Sequence, residues 1–275
     1  MALTTQAVIL ARGRGTRMRR PGRSAEARPL TAAQSLAADS GVKGMIPVGR
    51  PFLDYVLSSL ADVGITDAVL VIGAEHEVMR RYFTVTARPE RIRVAFATQQ
   101  DPKGTADAVL AARDAVRDAP FLVLNADNFY PPDALRAVAA LGINGLVAFE
   151  AGALVREGGL DDQRVLQYAL VDFDCEGWLA AIAEKPLPGS ALAQRRERWV
   201  SMNLWSFTPR IFEACARVTM SGRGELELQS AVTIAMRDLH ERFRVITVRS
   251  GVLDLSFRAD IAMVEERLGT IRVHP

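Results

Sequence analysis

The order of apolar segments in the first half of the chain constrains its fold more than any other feature. QAVILA (6–11), DAVLVIG (67–73) and FLVLNAD (121–127) are short, nearly continuous apolar runs, and RIRVAFAT (91–98) alternates. Runs of this length, bounded by turn residues, read as strands, and the continuous ones as strands covered on both faces. Between them PFLDYVLSSLADVG, HEVMRRYF, TADAVLAARDAVRD and PPDALRAVAAL carry apolar residues at helical spacing, and GLVAFE (145–150) is a further strand. Pro51 and the prolines at 131–132 suit first helical turns, and Thr105 is the expected N-cap of its helix. Strand and helix alternating in this way predict an α/β fold with a mainly parallel sheet and helices on both faces.

The second half reads differently. QYALVDFD and GWLAAIAEKP are strands joined by the turn-like CEG, and WVSMNLWSF is another. A helix over ELELQSAVTIAMRDL, a strand over FRVITVR and a closing helix over SFRADIAMVEERLG follow. Strands without intervening helices predict a small β-rich lobe packed on the main sheet, all within one domain spanning 1–275. Residues 18–42, MRRPGRSAEARPLTAAQSLAADSGV, resemble a linker and are expected to form a mobile loop.

Composition excludes several function classes. A net charge of +2 is too small for a general nucleic-acid binder, and no aromatic-basic surface pattern supports one. Cys175 and Cys215 lie far apart and are expected to be free, buried thiols in a reducing compartment. His76, His240 and His274 are scattered, which argues against zinc. The first residues lack a basic leader, and their apolar stretch is too short for export or membrane insertion, so a cytoplasmic location is expected. Of 34 basic residues only Lys43, Lys103 and Lys185 are lysine, so each is a position where a compact ammonium is a candidate requirement.

GRGTR after the first strand is not a dinucleotide fingerprint, because Met18 stands where the third glycine belongs, and no G-K-[ST] follows to make a P-loop. The chain reads LARGRGTR, then VKGMIPVGRPFLDYVLSSL, QQDPKGTADAV, LVLNADNFYP, EKP, RGELEL and VLDLS. In this order, over about residues 6–260, the chain resembles the sugar-1-phosphate nucleotidyltransferases, also called NDP-sugar pyrophosphorylases. The resemblance implies a Rossmann-like nucleotide-diphospho-sugar transferase fold. About residues 1–150 would form the nucleotide-binding core, and about 151–275 the sugar-phosphate portion and closing helix. It also implies a reaction of nucleoside triphosphate with a sugar 1-phosphate, giving an NDP-sugar and pyrophosphate, with Mg²⁺ as cofactor and neither nucleic acid nor membrane as partner. Whether copies of the chain associate is left open.

Site residues follow residue by residue. The nucleotide would lie against Leu10, Ala11, Arg12, Gly13, Gly15 and Thr16, with backbone amides of the glycine loop on the triphosphate and Arg17 bridging phosphate oxygens. Gln99 would read the base edge, with Gly104 and Thr105 beside it. Lys43 would neutralise the α-phosphate or the leaving pyrophosphate, and Lys185 would hold the sugar phosphate. Glu184, Asn203, Glu225 and Tyr168 are candidates on the sugar side. Asp127 and Asp254 match the metal-binding aspartates, an oxygen-rich pair suited to Mg²⁺.

Three departures from the family pattern stand out. Arg17 and Lys43 are separated by more residues than in most relatives, and seven arginines occupy residues 12–28 against the single acid Glu26. The closing W-x-D-x-G-T motif is replaced by a stretch ending Leu253-Asp254-Leu255-Ser256-Phe257. Ala169 follows Tyr168 where many relatives have glycine, so an unusual sugar or cyclitol phosphate is an open acceptor. A catalytically silent regulatory relative and a cytidylyltransferase for a non-sugar phosphate are the alternatives. Retention of Arg17, Asp127 and Lys185 argues against the first, and EKP with RGELEL against the second.

Overall fold

In a computed structural model, residues 4–20 and 29–275 are described. The chain builds one mixed nine-stranded sheet. Its strands are β1 (Gln6–Leu10), β2 (Asp67–Ile72), β3 (Arg93–Thr98), β4 (Phe121–Asn125), β5 (Gly145–Glu150), β6 (Ala169–Phe173), β7 (Leu179–Ala183), β8 (Trp199–Phe207) and β9 (Arg244–Val248). The strands β3, β2, β1 and β4 run parallel in that order. Next to β4 lies β8, antiparallel to it and to β5 and β6, while β9 pairs parallel with β5. The strands of the second half therefore extend the first-half sheet, with the β6–β7 pair as its projecting β-rich part.

Alternation along the strands explains the two covered faces. Ala7, Ile9, Leu122 and Leu124 enter one core with the helices Phe52–Asp62, Pro132–Ala139 and Asp260–Leu268. Val8, Val69, Val71 and Val123 enter the other, with the helices Thr105–Ala111, Ile211–Ala216 and Leu228–Asp238. Each fully buried Leu, Ile, Val or Phe contributes about 1.5–3 kcal/mol against the unfolded chain, so both layers are held mainly by apolar burial. Among the described residues no helix is long and apolar enough to cross a membrane.

Four local expectations change. Thr105 is not the N-cap of its helix: Gly104 holds that position, and the Thr105 hydroxyl instead accepts from the Leu228 amide at 2.9 Å. The stretch 18–42 is not all loop. Thr31 and Gln34 form a capping box, 3.2 and 3.0 Å, that starts the helix Ala32–Ser40, while residues 21–28 lie outside the described ones. Cys215 is buried, but Cys175 is exposed in the turn between β6 and β7. The segment HEVMRRYF is helical over Glu77–Arg81 and then widens into a π-type turn over Tyr82–Thr86.

Candidate active site

The chain leaves β1 toward β2 on one side and later returns to β4 on the other. Their carboxyl ends thus flank a topological switch point, where open α/β sheets form their ligand crevices. The loop after β1 carries the glycines. Gly15 has φ +59°, and a Cβ there would sit 2.3 Å from the Gly41 carbonyl oxygen, so the loop lies backbone-to-backbone against the entry to Lys43. Gly13 is exposed on this loop, Thr16 and Arg17 are exposed on the short helix Thr16–Arg19 that follows it, Leu10 is half-buried at the end of β1, and Ala11 is buried behind it. Beyond β4, Asp127 receives the Lys43 ammonium on Oδ2 at 2.6 Å. Two candidates 84 residues apart in sequence are thereby brought together beside the loop.

Arg12 does not point into solvent. Its guanidinium makes two bonds to the Glu75 carboxylate, at 3.1 and 3.2 Å, and a third to the backbone carbonyl of Gln99. It therefore ties the ends of β1, β2 and β3 together. The buried Gln99 amide donates to Gly104 O at 3.1 Å and to Asp107 Oδ2 at 2.7 Å, which fixes its orientation and leaves Oε1 as the free acceptor. Gly104 has φ +133°, and a Cβ there would meet the Leu226 backbone at 2.4 Å. Its small size is required by the protein's own RGELEL segment.

Asp254 reaches the same region through a short ladder in which Leu253–Asp254 pairs with Asn128–Phe129, and the Leu255 amide donates to the Asp127 carbonyl at 2.9 Å. Asn128 Nδ2 donates to Asp254 Oδ1 at 2.9 Å, and Arg164 Nη2 to Oδ2 at 2.7 Å. Arg164, absent from the expected site, also bonds both oxygens of Asp260. Burial works against its charge, yet these carboxylates hold its pKa above the ordinary guanidinium value. The Tyr168 hydroxyl is buried close to Asp254, and burial together with that carboxylate pushes its pKa well up.

Of the residues expected to meet the sugar phosphate, Lys185 and Asn203 hold left-handed φ angles of 44° and 57°, two of three such non-glycine residues among those described. Such strain concentrates where side chains must be aimed at a ligand. Asn203 Oδ1 accepts from Gln229 at 3.1 Å and Trp205 at 3.3 Å. Burial raises the Glu184 carboxyl to about 7 against the pull of Lys185 and Arg223, whose cations lie 4.0 and 3.9 Å away. Glu225 is exposed and has no ion pair among the described residues, whereas Glu227 two residues on is buried and pairs with Arg223 at 2.6 Å.

Over residues 6–251 the chain matches the nucleotidyl transferase family. It belongs to that family. Among its relatives, UTP–glucose-1-phosphate uridylyltransferase AglF of Haloferax volcanii is 29% identical over 96% of both chains. A glucose-1-phosphate thymidylyltransferase of Streptomyces antibioticus is also 29% identical, over 82% of this chain and 56% of its own length. The low-salt glycan biosynthesis nucleotidyltransferase Agl11 of H. volcanii is 26% identical, and the match spans 57% of its length. The chain thus spans little more than half of some curated relatives it matches. A UDP-glucose pyrophosphorylase crystal structure complexed with UDP-glucose shares the fold, with TM-score 0.73 over 98% of this chain and 100% of the other at 16% identity.

Among the described residues no group of three or more His, Cys, Asp or Glu could hold a metal ion. Mg²⁺ is commonly held by one or two carboxylates plus substrate phosphates. Asp127 fits that role, since only its Oδ2 is engaged by the protein. Asp254 accepts Asn128 on one oxygen and Arg164 on the other, so a metal there would share its carboxylate with both.

Proposed function

We propose that the chain transfers a nucleotidyl group from a nucleoside triphosphate to a sugar 1-phosphate. The observation that carries this reading is the 2.6 Å contact of Lys43 with Asp127, beside a glycine loop at the switch point. A phosphate oxygen of the acceptor forms the new bond to the α-phosphorus. The bond from that phosphorus to the bridging oxygen breaks, and its electron pair leaves with pyrophosphate. The attacking oxygen is already anionic, so the side chains align and neutralise rather than remove a proton.

In this reading Arg17 and Lys43 meet triphosphate oxygens, Lys185 meets the acceptor phosphate, and Glu184 faces sugar hydroxyls. Asp127 would hold Mg²⁺ together with substrate phosphates, and the bound ion supplies charge neutralisation at those oxygens. The free Oε1 of Gln99 suits the N3–H of uracil or thymine. The names of the uridylyl- and thymidylyltransferase relatives agree with that choice. A pyrophosphate-release screen of the common nucleoside triphosphates against sugar and cyclitol 1-phosphates, with Mg²⁺, tests the proposal. Turnover is expected with UTP or dTTP. Absence of turnover for every pair, with nucleotide still bound, would overturn it in favour of a silent relative.

A further inference from the structure

Asp254 sits in a buried charge cluster that the proposed reaction leaves unused. Its carboxylate receives Asn128 at 2.9 Å and Arg164 at 2.7 Å. Arg164 is held a second time by Asp260, at 2.9 and 3.2 Å. One oxygen of Asp260 also takes the amides of Ser256 and Phe257, at 2.9 and 2.7 Å, which fixes the turn carrying the Phe257 ring. The Arg164 guanidinium lies 5.0 Å from the centre of that ring, and the Arg17 guanidinium 5.2 Å from the same centre. Cations over an aromatic face are attracted by its quadrupole, so the ring links the two arginines despite their like charge.

A divalent ion on Asp254 would share its carboxylate with a guanidinium that two acids already hold in place. A metal there would compete with Arg164 for one oxygen and with Asn128 for the other. Phe257 also stands where the family pattern has threonine, so the aromatic link and the occupied carboxylate occur together in this chain.

We propose that Asp254 is a positioning residue and not a metal ligand: with Asp260 it anchors Arg164, and Arg164 and Phe257 hold Arg17 toward the phosphates. The inference rests on the nucleotidyltransferase reading above. It leaves Asp127 and the substrate phosphates as the metal's partners and puts a fixed arginine in the place of a second ligand.

Mn²⁺ binding to the full chain, followed by electron paramagnetic resonance with α,β-methylene-UTP bound, tests it without turnover. Asp127→Asn should weaken Mn²⁺ about 10-fold or more, as loss of a metal-site partner does. Asp254→Asn should leave Mn²⁺ affinity unchanged while weakening the nucleotide analogue. Equal loss of Mn²⁺ in Asp254→Asn and Asp127→Asn would overturn the inference and leave the nucleotidyltransferase reading standing. A wild-type chain that binds neither nucleotide nor Mn²⁺ would instead defeat that reading, and the inference with it.

Should Asp254→Asn fail to fold, Arg164→Gln decides the metal question. Unchanged or tighter Mn²⁺ supports the inference, and weaker Mn²⁺ contradicts it. For the aromatic link, Phe257→Leu should raise the dissociation constant of the analogue and Phe257→Tyr should restore it. An unaltered constant in Phe257→Leu would remove the link to Arg17.

Discussion

Lys43 and Asp127 compensate each other across 2.6 Å in a half-buried setting, so removing either leaves a charge without its partner. Asp127→Asn keeps the shape and removes the negative charge proposed for the metal. We expect kcat to fall by about 10²–10³-fold, with nucleotide affinity retained in equilibrium dialysis; near-normal kcat would remove Asp127 from the chemistry. Glu184 makes a prediction of a different kind. Its carboxyl is raised to about 7 by burial, from an ordinary value of 4.5. Because the folded value is the higher one, its contribution to stability is complete below pH 4.5 and is lost as pH rises through 7. Wild type should therefore lose more Tm than Glu184→Gln between pH 5 and 8, corresponding to a difference on the order of 3 kcal/mol. The ionisation near 7 in kcat/KM for the sugar 1-phosphate should vanish in the same variant. Arg12 is architectural by comparison, since Glu75 and the Gln99 carbonyl engage its guanidinium.

At the scale of elements, the glycine loop and the helix leading to Lys43 act as one unit, joined where Gly15 meets Gly41. Gly15→Ala drives a methyl group to 2.3 Å from the Gly41 carbonyl and strains a left-handed backbone. The expected cost is about 2 kcal/mol or more, read as a lowered Tm together with a raised KM for the triphosphate. An unchanged Tm would mean that the loop is not locked against Gly41. The parallel strands were legible in the sequence because their apolar runs are short, bounded and buried on both faces. The capping box Thr31–Gln34 was equally legible, but the Arg-, Gly- and Pro-rich residues before it outweighed it. The Thr105 cap misread a local signal, since that hydroxyl serves a helix more than 120 residues away. Arg164 had no local signature, because its meaning lies in Asp254, 90 residues further along the chain.

For the whole molecule, one continuous sheet carries both halves of the site. The loop after β1 and Asp127 after β4 stand at the switch point, and the β6–β8 strands bring Glu184, Lys185 and Asn203 from the second half. The ordered motifs pointed to these segments, and the sheet brings them together. What they could not supply was the use of each polar atom: that Gln99 keeps only an acceptor free, that Glu227 and not Glu225 turns inward, and that Asp254 is engaged on both oxygens. These depend on packing between segments distant in sequence. The central claim is a single direct transfer at the α-phosphorus with no covalent enzyme intermediate. The configuration at phosphorus tests it most directly, using UTP or dTTP made chiral by sulfur at the α-position and a sugar 1-phosphate acceptor. The account predicts inversion in the NDP-sugar product, and retention, which requires two displacements, would contradict it.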